Sequence, residues 1–113
     1  MIKVFWFLKK ADDISLDEFR SWWLDHHVHD IAADQKPYLK KYRVNVRVAD
    51  DSALSSGKPL ADSPWDGFAE QWFDSAQDYQ AVYGRKDRPT RGDTLRHTSR
   101  FERVVVEEHE INL

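Results

Sequence analysis

Tyr42-Arg43-Val44-Asn45-Val46-Arg47-Val48 alternates apolar and polar side chains over seven positions. A period of two belongs to a strand with one face in a core and the other in water. This is the clearest strand signal in the chain, set within a run from Tyr38 to Ala49. Upstream, Ser15-Leu16-Asp17-Glu18 has the pattern of a capping box: the Ser15 hydroxyl can accept from the Glu18 backbone while the Glu18 carboxylate reaches back. A helix is therefore expected from Leu16. Phe19, Trp22, Trp23, His26, His27 and Asp30 follow at helical spacing, and Pro37 ends the helix or lies just beyond it. Before the helix, Ile2 to Leu8 is a branched and aromatic run too short for a helix, which reads as a buried strand leading to a turn at Ala11-Asp12-Asp13-Ile14.

Downstream, residues 50–66 are rich in Asp, Ser, Gly and Pro and read as one long loop, of the kind that is functional or mobile in compact domains. Gly67 to Phe73 is a short strand, with Phe68, Glu70 and Trp72 on one side and Ala69, Gln71 and Phe73 on the other. Ser75, three residues before Asp78, caps a second helix ending near Gly84. Arg85 to Arg100 is polar, holds six arginines or lysines and carries Pro89 and Gly92, so it reads as loop with room for a helical turn; Phe101 to Ile111, around Val104-Val105-Val106, is the last strand. The order β-α-β-β-α-β is the split βαβ arrangement of a ferredoxin-like α+β domain, with a four-stranded antiparallel sheet and both helices on one face. The uncovered face needs a partner, and a second copy would close a dimeric α+β barrel. With 113 residues, 41% of them apolar, residues 1–113 are expected to form one domain.

Composition narrows the function. A formal charge of −3 with scattered Lys and Arg leaves no field for a phosphate backbone, so no nucleic-acid partner is expected. The chain has no cysteine, which removes thiolate catalysis, disulfides and Cys-based metal sites and leaves His, carboxylates, Tyr and Arg to carry chemistry. The apolar start before Lys9-Lys10 is too short for a signal peptide or a membrane span, and a cytoplasmic protein without a membrane partner is the expectation. No glycine-rich phosphate loop or nucleophile elbow occurs.

The densest reactive cluster is Asp25-His26-His27-Val28-His29-Asp30. At 3.6 residues per turn His26 lies near the centre of the face set by Phe19, Trp22 and Trp23, with His27 toward one edge. An imidazole beside indole rings can act as acid or base near neutral pH. His26 and Asp30 could face one ion, but no full ligand set accompanies them and no metal is expected. Glu70 beside Trp72 could be a buried carboxylate of raised pKa that exchanges a proton with a histidine, or a solvated or Arg-paired one. The arginines could include an anchor for a substrate carboxylate, with none singled out.

Phe7-Leu8-Lys9-Lys10, Leu16 to His27, Tyr42-Arg43-Val44-Asn45 and Asp66 to Ser75 together resemble the EthD family of dimeric α+β barrel proteins. The most specific pieces are Glu18-Phe19 with Trp22-Trp23 and the following histidines, and Gly67-Phe68-Ala69-Glu70 with Trp72-Phe73-Asp74-Ser75. The family's helix histidine matches His27. The chain is also similar to the methylmuconolactone methylisomerases, whose helix histidine matches His26 and whose strand cysteine is replaced here by Gln71. The resemblance implies a pocket between sheet and helices for an aromatic, polyketide-like or lactone molecule. The expected function is a cofactor-free isomerase or lyase working by proton transfer, with His27, His26 and Glu70 as catalytic candidates. Trp22, Trp23, Tyr42, Trp72, Gln71 and Trp6 are the expected substrate-binding residues. A non-catalytic accessory of an oxygenase system and a haem-binding barrel stay open beside it.

Overall fold

The computed structural model describes residues 1–50, 54 and 63–113 of the chain. Strand β1 (Ile2–Lys10) is followed by α-helix α1 (Leu16–Trp22), a π-helical turn (Trp23–His27) and α2 (Val28–Gln35). Then come β2 (Leu39–Val46), β3 (Gly67–Phe73), α3 (Ala76–Tyr83), α4 (Arg91–His97) and β4 (Thr98–Val106). The sheet order is β2-β3-β1-β4 with every neighbouring pair antiparallel, as a ferredoxin-like α+β fold requires. The loop expected at 50–66 falls mostly outside the described residues.

Local signals explain the boundaries. Both halves of the Ser15 capping box form, so the first helix starts at Leu16. Ser75 accepts from the Asp78 backbone at 3.1 Å and starts α3. Two expectations need correction. The basic stretch 85–100 contains a helix, α4, which stays folded because it packs: Ala11 donates a backbone bond to His97 at its end, and the His97 ring lies on Trp22. A seven-residue helix of this composition has little stability of its own. The last strand accordingly begins at Thr98 and ends at Val106, earlier at both ends than its apolar residues suggest.

The register assigns the faces. Val4 stands opposite Gln71 and Trp6 opposite Ala69, so Val4, Trp6, Leu8, Ala69, Gln71 and Phe73 share one face. The helices lie on it, burying Phe19, Trp22 and Trp23 with Leu8 and Ala69, and Val82 with Val4 and Phe73. The opposite face carries Lys3, Phe5 and Phe7 across from Trp72, Glu70 and Phe68. No helix covers that face among the described residues.

Gly67 marks the tightest approach between sheet and helix. A Cβ there would collide with the Asn45 carbonyl oxygen and lie 2.6 Å from Cζ3 of Trp23. The carbonyl belongs to a paired strand and Trp23 is fully buried, so neither yields freely. Gly67→Ala is expected to destabilise the fold by about 1–3 kcal/mol. A urea midpoint unchanged from wild type would show that β2 and Trp23 can move aside.

Candidate active site

The π-helical turn sets the site. A π turn takes more residues per revolution than an α turn, so beyond Trp23 the inward face moves one residue along the chain. His27, not His26, therefore points inward. His27 is 5% exposed, while His26 and His29 are on the surface. The His27 ring stacks on Trp22 with centroids 4.6 Å apart, and His97 also stacks on Trp22, at 4.5 Å.

One carboxylate ties this stack together. Asp93, on α4, has Oδ2 3.0 Å from His27 Nδ1 and 3.0 Å from the Trp22 indole nitrogen. Its Oδ1 lies 3.2 Å from His97 Nδ1, which is also 2.8 Å from the Asp93 carbonyl oxygen. With Nδ1 donating to Asp93, the neutral His27 ring carries its lone pair on Nε2. That nitrogen lies 3.4 Å from Thr94 Oγ1. Burial pushes the His27 pKa down, and the hydrogen bond and charge of Asp93 recover only part of the shift. The ring is thus neutral at pH 7 and competent to accept a proton.

The same shift has a stability consequence. The unfolded histidine binds a proton near pH 6.5 and the folded one only below that, so the unfolded state holds more protons as pH falls through 6.5. Stability is expected to drop on acidification from pH 7.5 to 5.5, and by less in His27→Gln. Equal drops in urea midpoint for the two proteins would contradict a buried neutral His27.

His27 lines a pocket between the sheet and the helices, together with Trp6, Trp23, Tyr42, Gln71 and Phe101. Its free volume is about 60 Å³, several times the ~10–15 Å³ that one water needs. At the floor, the Trp6 indole donates to Tyr83 Oη at 2.9 Å and to Gln71 Oε1 at 3.2 Å. The Tyr83 hydroxyl donates to the same Gln71 oxygen, and Gln71 Nε2 donates to Gln35 Oε1 at 3.2 Å. Burial raises the Tyr42 pKa, opposed by a hydrogen bond from Trp23, so the phenol stays protonated. An indole only donates, so this contact uses the Tyr42 oxygen as acceptor and does not engage the hydroxyl hydrogen.

Of the residues singled out from the sequence, His27, Trp23, Tyr42, Gln71 and Trp6 come together in this pocket. Trp22 lies behind His27 as its stacking support. Glu70 and Trp72 are on the opposite face of the sheet, so Glu70 does not meet the histidine. Nor is Glu70 an acid of raised pKa. Burial alone would raise it, but hydrogen bonds from Asn45 and Lys3 and the charges of Lys3 and Arg43 hold it below the usual carboxylate range. Lys3 Nζ sits 3.0 Å from Glu70 and 2.6 Å from Glu108, over the Trp72 ring. Sequence reading missed Asp93, Tyr83, Gln35 and Thr94; the Asp93-Thr94 pair lies in the stretch taken for loop. Among the described residues no group of three metal-ligating side chains converges, and no helix is long and apolar enough to cross a membrane.

The family model of the EthD domain matches residues 11–88, well over half of the chain and including the π turn, β2 and β3. The chain belongs to the EthD family. Among solved structures, an EthD family protein of Bacillus halodurans superposes with a TM-score of 0.67 at 15% identity, covering 96% of this chain and all of that one. A dimeric ferredoxin-like protein of unknown function from Bacteroides fragilis gives 0.63 at 16% identity, covering 95% of each. One from Thermobifida fusca, also dimeric, gives 0.58 at 15% identity over 93% of this chain and 88% of that one. At these identities the likeness concerns the fold. Among curated proteins none matches the sequence. Asp93, Thr94 and His97 lie beyond the matched residues.

Proposed function

We propose that this EthD family protein is a cofactor-independent enzyme of isomerase or lyase type that moves a proton on a hydrophobic cyclic molecule, aromatic, polyketide-like or lactone. The observation that carries the reading is His27: a buried, neutral imidazole, oriented by Asp93, on the wall of an aromatic pocket. His27 Nε2 would take a proton from a carbon beside a carbonyl, the C–H electron pair passing into the carbonyl to give an enolate. The Tyr42 hydroxyl is a suitable donor to that oxygen. Return of the proton from His27 to a second carbon completes an isomerisation, and departure of a group from the enolate makes the reaction a lyase. The aromatic walls exclude water, which strengthens each of these polar contacts.

The working form in this reading is a homodimer. The uncovered sheet face carries Phe5, Phe7 and Phe68, with Phe7 5.6 Å from Phe68 and 5.5 Å from Trp65, and Val104 is 42% exposed. An apolar aromatic patch of this kind is usually covered, and the Bacteroides and Thermobifida neighbours are dimers. The test is hydrogen–deuterium exchange: a set of cyclic ketones and unsaturated lactones is incubated with protein in D2O and read by NMR. Exchange well above the His27→Ala background is expected for at least one compound class. Binding without exchange above that background would replace the enzyme with a carrier.

A further inference from the structure

Asp34, Arg85, Arg88 and Arg91 also line the pocket, and being half-buried, or in the case of Arg91 exposed, they mark its solvent-facing mouth. Among the described residues only Arg85 of these three guanidiniums has a carboxylate partner. Arg85 Nη2 lies 2.8 Å and Nη1 3.3 Å from the two oxygens of Asp34, and Arg85 Nε donates to the Val82 carbonyl. Among the described residues Arg88, Arg91 and Arg103 have no carboxylate within ion-pair distance. Arg88 and Arg103 both approach the Tyr83 ring, at 6.0 and 4.3 Å from its centroid. Tyr83 is the residue whose hydroxyl closes the polar network of the pocket, so Arg88, which lines the pocket, and Arg103, which does not, border the same pocket-lining ring.

Gathering like charges is costly unless an anion joins them. Burial, and then the charges of Arg103, Arg91 and Arg85, weaken the hold of Arg88 on its proton. We propose that this cluster is an anion anchor, in which Arg88, backed by Arg91 and Arg103, takes the carboxylate of a substrate whose cyclic body reaches inward toward His27. A guanidinium fork matches a carboxylate in two parallel hydrogen bonds. A monoanion suits the mouth better than a dianion such as phosphate, because Asp34 stands at the same rim. The substrate class is thereby narrowed from a hydrophobic ring to a ring bearing a carboxylate. The proposal rests on the pocket being the substrate site, and its test uses binding instead of turnover.

The probes are benzoate and benzamide, of equal size and shape but different charge, titrated into the full chain at low salt and followed by ligand-observed NMR. Benzoate is expected to bind about tenfold or more tightly than benzamide, as a charge-assisted hydrogen bond warrants. The difference should narrow as salt is added. Arg88→Gln is expected to remove most of the preference while leaving benzamide within about twofold, and Lys86→Gln, an exposed neighbour, to leave both unchanged. Equal binding of the two probes, or a preference that survives Arg88→Gln, would overturn the anchor and leave the pocket standing. Binding of neither would also overturn it, and the exchange assay would then judge the pocket by itself.

Discussion

Replacing His27 with alanine is expected to lower carbon-acid exchange by about 10²- to 10⁴-fold, the usual contribution of a positioned acid or base, and His26→Ala to change it less than about twofold. The two residues are adjacent, but His26 is on the surface and His27 lines the pocket. Asp93→Asn should fall between them. Its amide can still contact Nδ1, yet it supplies no negative charge and can itself donate, which favours the tautomer with Nε2 protonated. Because Asp93 holds the His27 pKa up against burial, the acid limb of the pH profile should move to lower pH in this variant. A purely structural Asp93 would reduce the amount of folded protein and leave the limb in place. Full exchange activity in His27→Ala would end the assignment.

Trp23→Ala is expected to be the most damaging single change to stability, by about 3–5 kcal/mol. Trp23 is fully buried, packs on Phe19 with centroids 5.4 Å apart and fills the space above Gly67. A domain of this size has about 5–15 kcal/mol in hand, so the variant should lose roughly a fifth of it or more. Urea titration followed by far-ultraviolet circular dichroism at one fixed protein concentration measures the loss; the fixed concentration matters because self-association adds to apparent stability. A loss under about 1 kcal/mol would mean that the cavity refills. Since Trp23 also lines the pocket, Trp23→Phe is the variant with which to ask about binding in a protein that still folds.

Most of the fold and the family were legible because their signals are local. The Ser15 and Ser75 caps and the alternation at 42–48 each act over a few residues. The strand Gly67–Phe73 is legible with its observed bounds, but not its orientation toward the site: Ala69, Gln71 and Phe73 are buried on one face and Trp72 on the other, so its pattern could not say which side carries helices. Pairing Val4 with Gln71 settles the matter, and a partner strand 67 residues away is invisible to a local reading. Asp93 was missed for the same reason, lying 66 positions from the histidine it binds. Regular helical spacing favoured His26 at the centre of the face because nothing in Trp23-Leu24-Asp25-His26-His27, which has neither Pro nor Gly, announces a wider turn. There the tertiary contacts of Trp22 and His27 with Asp93 override the regular period.

That wider turn also separates two demands on one helix. An α-helix advances by about 100° per residue, so a single extra residue is a large change of phase. Upstream of the turn, Phe19 and Trp23 keep their seats in the core; downstream, the whole segment from Val28 to Gln35 is dialled by one position, and Ile31 and Gln35 become the residues that face inward. The helix behaves as two shafts joined by an offset coupling, in which the acid–base group can be re-aimed without disturbing the aromatic seat that holds it.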